Sequence, residues 1–503
     1  KRTLTFTNAK FSILGFPIFY TPYLRTPEPG IKRASGFLPP SVSFSNSTGF
    51  GVKQPYYYVI GPYSDATASV GLSEDGISKL DFEYRKNYKN GKINLFFNID
   101  PNESSHRFFK TSEISINSKF EESATDLSIL GFLVPNATGT KTESFFRVKS
   151  NTRISKNTNF SINLTSNTDR ALLSSYNYTS PDRLVSQINI TRVEPKNLLD
   201  GGISLFSSLR NEDISGMEPQ ALPELYWRNY GTLNRYKISY GVETSVLNLI
   251  RSEGRDVFRV SSKLDLQKQI QLPNGIRANN TFYIRTSAYK IQDDNNFSNK
   301  NLFTIRPLVS TDFTLPLIYK SSKLRNIIIP RLQLIYSETD NSQNIPNEDS
   351  VNVNFDETNI FSFNRYPGID FAESGLRLNA GIDFQSNVSK SFGYTFSIGE
   401  IFRYKPNTQF SASSGIDGYR SDIIFSARAS FRRNYPNIDL SSKLLLDQNM
   451  ALKLNETSLI WSESNYTNTG SFIYLVKDDA ENRSKDQAYL NFGTNFNIGK
   501  NWT

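Results

Sequence analysis

The sequence contains no cysteine, and its 503 residues include one histidine, two methionines and three tryptophans. Without thiols the chain carries neither a disulfide framework nor a thiolate metal site. The single imidazole, His106, rules out a multi-histidine metal centre, and carboxylates such as Asp370 and Glu373 have no histidine near them in the sequence. We therefore expect no catalytic residues, no metal site and no cofactor.

Long hydrophobic runs are also missing. No stretch of 18 apolar residues occurs, so the sequence predicts no transmembrane helix, and the mean hydropathy is −0.45. Such a value does not exclude membrane β-strands, which hide their apolar face in every second residue. The net charge of +9 arises from 57 basic and 48 acidic residues that are interspersed. We interpret this as a mixed, solvated surface and expect no nucleic-acid partner.

Alternation with period two runs through most of the chain. Apolar residues occupy every second position, and polar residues the others, in seven segments: 79–85, 93–99, 160–166, 187–193, 258–266, 281–288 and 489–498. Turn clusters such as NYKNGK around Gly91 separate successive segments and predict antiparallel neighbours. No linker or change of composition marks the several domains that soluble β-sandwiches of this length would require.

The predicted fold class is therefore all-β, a large antiparallel up-and-down transmembrane β-barrel of the outer-membrane type. The 37 Phe and 26 Tyr residues cluster near the ends of predicted strands, as the aromatic girdles of such barrels require. The chain begins at Lys1 without a methionine or signal peptide and stops just past a turn at Gly499. We interpret it as part of a longer precursor, with a barrel that is incomplete at both ends.

Four motifs occur in the order that they have in a known family. They are GFPIFYTPYLRTPEPGIKRASGFLPPSV (15–42), PYYYVIGPYSDAT (55–67), NTDRALLSSY (167–176) and the segment IPNEDSVNVNFDETNIFSFNRYPGIDFAESGLRLNAGIDF from Ile345 to Phe384. In this order they resemble the LptD family, the outer-membrane barrels that insert lipopolysaccharide. No single motif is very specific, but together they cover most of the chain.

The resemblance implies both a domain organisation and a function. Residues 1–24 would be the end of a periplasmic β-jellyroll, and residues 25–503 the early majority of a 26-stranded barrel whose closing strands follow Thr503. The family passes lipopolysaccharide through the lumen and a lateral gate between the first and last strands, in the outer membrane of Gram-negative bacteria. The implied partners are lipopolysaccharide, the plug lipoprotein LptE, the bridge protein LptA through the upstream jellyroll, and outer-membrane lipid.

Two departures from the family pattern stand out. Phe371 follows Asp370 where the family commonly has an arginine, which puts any ion pair of that arginine in doubt. The cysteines that link jellyroll and barrel in enteric members do not occur here.

Prolines lie within the first two predicted strands. Pro39, Pro40 and Pro55 lack the N–H group that a β-ladder needs. In an ordinary barrel, Pro39 and Pro40 could start a strand and Pro55 could mark a bulge or an interfacial turn. The family resemblance, in which prolines at these positions belong to the lateral gate, favours the interpretation that they weaken a seam.

A polar cluster lies between Asn347 and Arg377. Its members are too dense in hydrogen-bonding groups to face lipid, where an unpaired charge costs roughly 2–4 kcal/mol near the midplane. They are Asp349, Asp356, Asn359, Asn364, Arg365, Asp370, Glu373 and Arg377. One interpretation is a loop folded into the lumen that holds the plug lipoprotein or shapes the lipid path. The other is an ordinary extracellular loop stabilised by its own ion pairs.

Two other function classes share some of these features. A porin or another outer-membrane transporter would show the same alternation but has no need for prolines in its first strands. A secreted adhesin built of β-sandwiches would explain Asn-x-Ser/Thr triplets such as those at Asn163 and Asn189, although such triplets arise by chance in a chain rich in Asn and Ser.

Overall fold

The computed structural model describes most of the chain. The described residues are 3–13, 16–28, 33–45, 49–73, 76–89, 91–100, 109–120, 123–135, 142–170, 172–175, 181–210, 212–214, 216–294, 300–321, 324–338, 345–351, 354–389, 391–411, 414–432, 436–479 and 482–496. His106 and the predicted turn at Gly499 lie outside them. The chain forms two units, Lys1–Trp227 with Val246–Phe258, and Arg228–Ser245 with Arg259–Thr503.

The described residues form 28 strands. The first fourteen are β1 (Thr3–Ile13), β2 (Phe16–Pro27), β3 (Gly36–Phe37), β4 (Ser41–Ser45), β5 (Gly49–Gly61), β6 (Ser64–Ser73), β7 (Gly76–Tyr88), β8 (Gly91–Asp100), β9 (Phe109–Phe120), β10 (Ser123–Pro135), β11 (Thr142–Ser155), β12 (Thr158–Asn167), β13 (Arg183–Val193) and β14 (Asn197–Ser208). The others are β15 (Gln220–Leu233), β16 (Ile238–Ile250), β17 (Asp256–Gln271), β18 (Arg277–Gln292), β19 (Asn301–Thr314), β20 (Leu317–Lys320), β21 (Arg325–Ser337), β22 (Gly375–Asn387), β23 (Phe392–Arg403), β24 (Ile423–Arg432), β25 (Asn437–Leu446), β26 (Leu452–Ser462), β27 (Tyr466–Leu475) and β28 (Gln487–Phe496).

Helical structure is limited to a four-residue helix, α1 (Leu172–Ser175), and a 3₁₀ turn at Pro273–Gly275 within the described ranges. In that same part of the chain, no helix has the length and apolarity that a membrane crossing requires.

Strand pairing in the first unit follows chain order. Each strand from β5 to β13 pairs antiparallel with the next one, and β3 and β4 both pair with β5. β1 and β2 form a separate antiparallel sheet of two strands. The predicted end of the jellyroll tail at residue 24 falls inside β2, and the assignment of this hairpin to a jellyroll stays a prediction.

The second unit repeats the same pattern. β18 pairs with β19, β19 and β20 both pair with β21, and each strand from β21 to β27 pairs antiparallel with its successor. The seven segments predicted from alternation all lie in strands, except that residues 497 and 498 of the last one fall outside the described residues. The prediction of an antiparallel up-and-down β protein is confirmed.

The strands bury polar side chains and expose apolar ones. In β19, Phe303 and Ile305 are 63% and 42% exposed, whereas the alternating Arg306 and Ser310 are 3% and 2% exposed. The same holds in β7, where Phe82 is exposed and Asp81 is buried, with the Lys53 ammonium and the Asn98 amide bound to its carboxylate. A soluble sheet would expose the polar face, because burial of apolar area stabilises folding by roughly 25 cal/mol per Å². The reverse order suits a sheet whose outer face contacts lipid.

Candidate functional site

The first strand of the larger sheet in the first unit is broken at its prolines. β3 pairs Gly36 with Tyr57 and Phe37 with Tyr56, and β4 resumes with Ser41 opposite Lys53. Three residues, 38–40, therefore lie opposite two, Gln54 and Pro55. This arrangement is a bulge of one extra residue, and Pro39 and Pro40 lie within it.

Backbone donors are scarce at this bulge. Leu38 N donates to Pro55 O at 3.0 Å. Because the N–H and C=O of an antiparallel residue point to the same neighbour, the N–H that Pro55 lacks would have faced this same edge. The Gln54 side-chain amide supplies donors instead, with Nε2 at 2.8 Å from Leu38 O and 3.1 Å from Pro55 O. The Gln54 side chain thus supplies hydrogen-bond donors in place of the N–H group that Pro55 lacks.

A cluster of charged side chains binds the segment before this broken strand to β6 and to the turn between β5 and β6. The Asp65 carboxylate, from the motif at 55–67, lies in β6 and accepts a hydrogen bond from Arg85 Nε at 2.6 Å and another from the Tyr57 hydroxyl at 3.2 Å. Arg33, three residues before β3, also pairs with Asp65 and donates to Pro62 O at 2.7 Å. The chain entering β3 is therefore held to the β5–β6 turn while the strand that follows is weakly paired.

The residues between β21 and β22 form what we call the packed loop, residues 345–351 and 354–374. At its end lies Glu373, whose carboxylate accepts hydrogen bonds from Arg365 Nη1 at 2.7 and 2.8 Å. Arg403 Nη2 donates to the same carboxylate, and Arg377 Nε lies 3.6 Å from it. Glu373, Arg365 and Arg377 are all essentially inaccessible to solvent. The cluster joins the packed loop to β22 and β23.

The charge state of Glu373 follows from its neighbours. Burial alone raises the pKa of the Glu373 carboxyl group. The guanidinium groups of Arg377, Arg365 and Arg403 lower this pKa by more than burial raises it, so that it falls to about 2. Glu373 is therefore ionised at neutral pH. Other donors of these arginines bind backbone carbonyls, with Arg365 Nη2 at 2.6 Å from Ile360 O and Arg403 Nε at 3.2 Å from Ile416 O.

A second buried cluster ties the packed loop to β17 and β18. Arg259 Nη1 lies 2.6 Å from Asp370 Oδ1 and 2.8 Å from Asp349 Oδ2, and the Tyr289 hydroxyl donates to Asp370 at 3.1 Å. Asp349 also accepts from the backbone N–H groups of residues 369 and 370. Burial raises the pKa of Asp370 by more than Arg259 lowers it, whereas Arg259 and the two N–H groups outweigh burial and lower the pKa of Asp349.

Phe371 occupies the position where the family resemblance led us to expect an arginine. Its ring lies 5.8 Å from that of Tyr366, which in turn stacks on Phe410 at 4.8 Å. Asp370 already has Arg259 as its partner, so an aromatic residue at 371 leaves no carboxylate unpaired. Phe371 therefore packs against Tyr366, and Asp370 still has a cationic partner in Arg259.

Apolar contacts join the packed loop to the loop between β23 and β24. Ile360, Tyr366, Phe410 and Ile416 belong to one buried cluster. The sheet beneath this apolar cluster has no side chain at Gly381 or Gly399, which pair across β22 and β23. A Cβ at Gly399 would lie 2.1 Å from Ile360 Cδ1, so the packed loop fits only against glycine there.

The structure brings together most residues of the predicted polar cluster. Asn364 folds the loop on itself: its Nδ2 donates to the carbonyls of residues 366 and 371, and its Oδ1 accepts the N–H of residue 373. Asp356 and Asn359 instead form a local turn in which Asp356 N donates to Asn359 Oδ1 at 3.2 Å. Asp356 also lies 3.7 Å from Lys443 of β25.

Several residues of the site escaped sequence reasoning. Arg259, Tyr289, Arg306 and Arg403 lie on strands up to 111 residues away from their partners in the loop. Alternation placed Arg259, in segment 258–266, on the polar face, whereas the other three lie outside the segments predicted from alternation. No spacing rule connects a strand position with a distant loop. The interpretation that the loop is stabilised only by its own ion pairs does not describe this geometry, because Arg259 and Arg403 come from the sheet. Among the described residues, no group of three or more Asp, Glu or His side chains could hold a metal ion.

Antiparallel strands in chain order, with polar side chains buried on one face and large apolar ones exposed on the other, define an integral membrane β-barrel protein of the outer-membrane class. The family model for LPS transport system D, LptD, matches residues 141–502. The chain therefore belongs to the LptD family.

Curated relatives support the assignment. The LPS-assembly protein LptD of Pectobacterium atrosepticum is 24% identical over 432 residues, which are 80% of this chain and 50% of that protein. Its namesake from Pseudomonas aeruginosa is 36% identical over 110 residues, 21% of this chain and 11% of that protein. The one from Photobacterium profundum is 40% identical over 88 residues, 17% and 11% of the two chains. The chain thus spans about half the length of the Pectobacterium atrosepticum protein.

Proposed function

We propose that this chain is the barrel part of an outer-membrane translocon that inserts lipopolysaccharide into the outer leaflet. Family membership and the exposed apolar face of its strands support the outer membrane of a Gram-negative bacterium as its location. The lipopolysaccharide head group would pass along the polar face of the sheet, and the acyl chains would leave sideways between the first and last strands of the barrel. No chemical step is involved, and the energy for transport comes from elsewhere.

The broken first strand is the observation that carries this proposal. Backbone groups left without partners in hydrocarbon cost several kcal/mol, so membrane barrels normally pair every strand edge. Each ladder hydrogen bond contributes a net 0.5–1.5 kcal/mol or so. The first strand lacks donors at Pro39 and Pro40, and its partner β5 lacks one at Pro55, so the first strand is held to β5 partly by the Gln54 side chain and is more easily deformed than its neighbours. A lateral gate requires this property, and a diffusion porin does not.

The experiment restores the missing donors. Pro40→Ala combined with Pro55→Ala should tighten the first strand and lower the delivery of newly made lipopolysaccharide to the surface of intact cells. A matched control combines Pro307→Ala in β19 with Pro330→Ala in β21, which adds donors to strands of the second unit. Normal delivery by a well-folded Pro40/Pro55 variant would overturn the gate, as would an equal loss in the control.

We propose further that the packed loop contacts a plug lipoprotein of the LptE type. The loop is held to the sheet by Glu373, Asp370 and Asp349, which gives a partner a fixed surface to bind. Photocrosslinkers at Asn359 and at the exposed Val351 should capture that lipoprotein in cells. Capture at Val351 but not at Tyr404, an exposed residue of the neighbouring loop, would support a contact on the packed loop. No capture at Asn359 or at Val351 would refute this contact.

The link to a periplasmic bridge protein of the LptA type belongs to this proposal as well. It rests on the family alone, because the bridge would bind through a jellyroll upstream of residue 24.

A further inference from the structure

A cavity of about 260 Å³ lies between the packed loop and the polar face of β17, β18 and β19. Its strand side presents Lys263, Tyr283, Arg285 and Arg306, and its loop side runs from Phe363 to Ala372. The volume lies below the roughly 300–1,000 Å³ of a pocket for a drug-sized ligand and suits a single substituted sugar ring.

The cavity has an excess of positive charge. Its lining contains three cations and, among the described residues, no carboxylate. The nearby Glu243 is shared, at 3.7 Å from Lys263 Nζ and 3.5 Å from Arg285 Nη2. Lys263 also has Asp265 at 3.6 Å, whereas Arg306 pairs with no carboxylate within the described part of the chain. Three cations thus line the cavity, and two neighbouring carboxylates, Glu243 and Asp265, lie beside them.

Arg306 is the unusual member of this group. It is 3% exposed, its Nη atoms donate to the carbonyl oxygens of Ile369 and Asp370, and its Nε has no partner. A buried guanidinium without a counter-charge costs several kcal/mol unless an anion or additional hydrogen bonds satisfy it. The cavity that it lines is where such an anion would fit.

Aromatic side chains form the rest of the wall. Tyr283 and Phe363 meet at 6.3 Å, and Tyr366 and Phe371 line the other side. Lys263 Nζ lies 5.3 Å from the centre of the Tyr283 ring. Apolar faces beside cations match a ligand that combines a carbohydrate ring with an anionic group, since the ring buries its C–H faces while the anion binds Lys263, Arg285 and Arg306.

We propose that this cavity is a binding site for a phosphorylated sugar, occupied in transit by the head group of lipopolysaccharide. The inference rests on the proposed function for the source of the ligand, but the site itself is defined by the charges and rings of the cavity. It gives the packed loop a second role, because the loop supplies one wall of the site.

Binding can be measured without transport. Folded protein in detergent micelles is titrated with N-acetylglucosamine 1-phosphate, with N-acetylglucosamine and with inorganic phosphate, and binding is followed by calorimetry and ligand-observed NMR. The phosphorylated sugar should bind about tenfold or more tightly than the neutral sugar, the effect expected for losing one charge-assisted contact. Lys263→Gln, at a partly exposed position, should weaken that binding about tenfold. Arg277→Gln, which removes a cation from a separate polar cavity between β16 and β21, should not.

Three results would overturn the site. They are equal binding of the two sugars, unchanged binding in Lys263→Gln, and an equal loss in Arg277→Gln. Inorganic phosphate that binds as tightly as the sugar phosphate would show a site for free phosphate and refute the role of the aromatic wall. If sugar phosphate binds as expected while lipopolysaccharide delivery proves independent of this protein, the proposed function fails and the site stands.

Discussion

Replacing Glu373 by glutamine should destabilise the protein more than any other single charge removal in the packed loop. The substitution keeps the shape of the side chain and removes its charge. Three arginines, 365, 377 and 403, would then lie buried around a neutral amide that accepts fewer hydrogen bonds. Arg365 and Arg377 already carry a buried Nε without a partner, so the cluster has no spare acceptor.

The size of the effect follows in two ways. Breaking a buried ion pair by removing one partner costs about 3–5 kcal/mol. Independently, the lowering of the Glu373 pKa from 4.5 to about 2 corresponds to roughly 3 kcal/mol, at about 1.4 kcal/mol per pH unit. Because the folded-state pKa is depressed, this stabilisation is fully present above pH 4.5 and is lost as the pH falls towards 2.

The assay is the fraction of protein that keeps heat-modifiable gel mobility after incubation in increasing urea, in detergent and at several pH values. Glu194→Gln is the matched control, because Glu194 pairs with Arg192 at the surface, where an ion pair contributes about 0–1 kcal/mol. At pH 7 the Glu373 variant should unfold at clearly lower urea than the control. Between pH 4.5 and 2 the wild type should lose its advantage over the variant.

Two outcomes would refute this reasoning. If Glu373→Gln and Glu194→Gln unfolded together at pH 7, the buried cluster would not hold the loop. If the difference between wild type and variant stayed constant down to pH 2, its source would be packing and not the charge of Glu373.

Three further predictions test the fold and the two sites. A spin label at Phe82 should be quenched by a lipid-soluble reagent and one at Asp81 by a water-soluble reagent, and equal accessibility would exclude a lipid-facing strand. Gly368→Ala should make the packed loop more susceptible to limited proteolysis than Gly375→Ala does. Both residues have positive φ, but only at Gly368 would a Cβ meet a backbone oxygen, at 2.4 Å. Equal rates of cleavage in the two variants would show that φ alone matters. Gln54→Leu should raise uptake of bulky antibiotics by loosening the first strand, and unchanged uptake would deny the amide its bridging role.

The fold was largely predictable from sequence, for a physical reason. In a membrane strand the two faces meet different solvents, so alternation is imposed on segments such as 79–85 and 281–288 without help from the rest of the chain. A loss of pairing at Pro39, Pro40 and Pro55 was predictable in kind, because proline removes a donor wherever it stands. The position of the bulge was not, since the sequence suggested Pro55 and the extra residue lies at Pro39 and Pro40. The substitute role of Gln54 was not, since it depends on the register between β4 and β5.

Only the loop side of the candidate site could be predicted from the sequence. The density of charges from Asp349 to Arg377 indicated that the loop avoids lipid. In the structure Glu373 is buried and paired with Arg365, whereas Asp356 stays partly exposed beside Lys443. Its strand partners Arg259, Arg306 and Arg403 could not be assigned. Their contacts with the loop are set by how the sheet and the loop pack in three dimensions, and neither helical nor strand periodicity encodes such contacts.

Surface lipopolysaccharide on cells depleted of this protein tests the central claim most directly. Newly synthesised lipopolysaccharide is pulse-labelled, and the share that reacts with a membrane-impermeant reagent on intact cells is measured as depletion proceeds. The proposed function predicts that the exposed share falls in step with the protein and is restored by the wild-type chain within its full-length protein, but not by the Pro40/Pro55 double variant. An exposed share that stays constant after the protein is gone would contradict the claim.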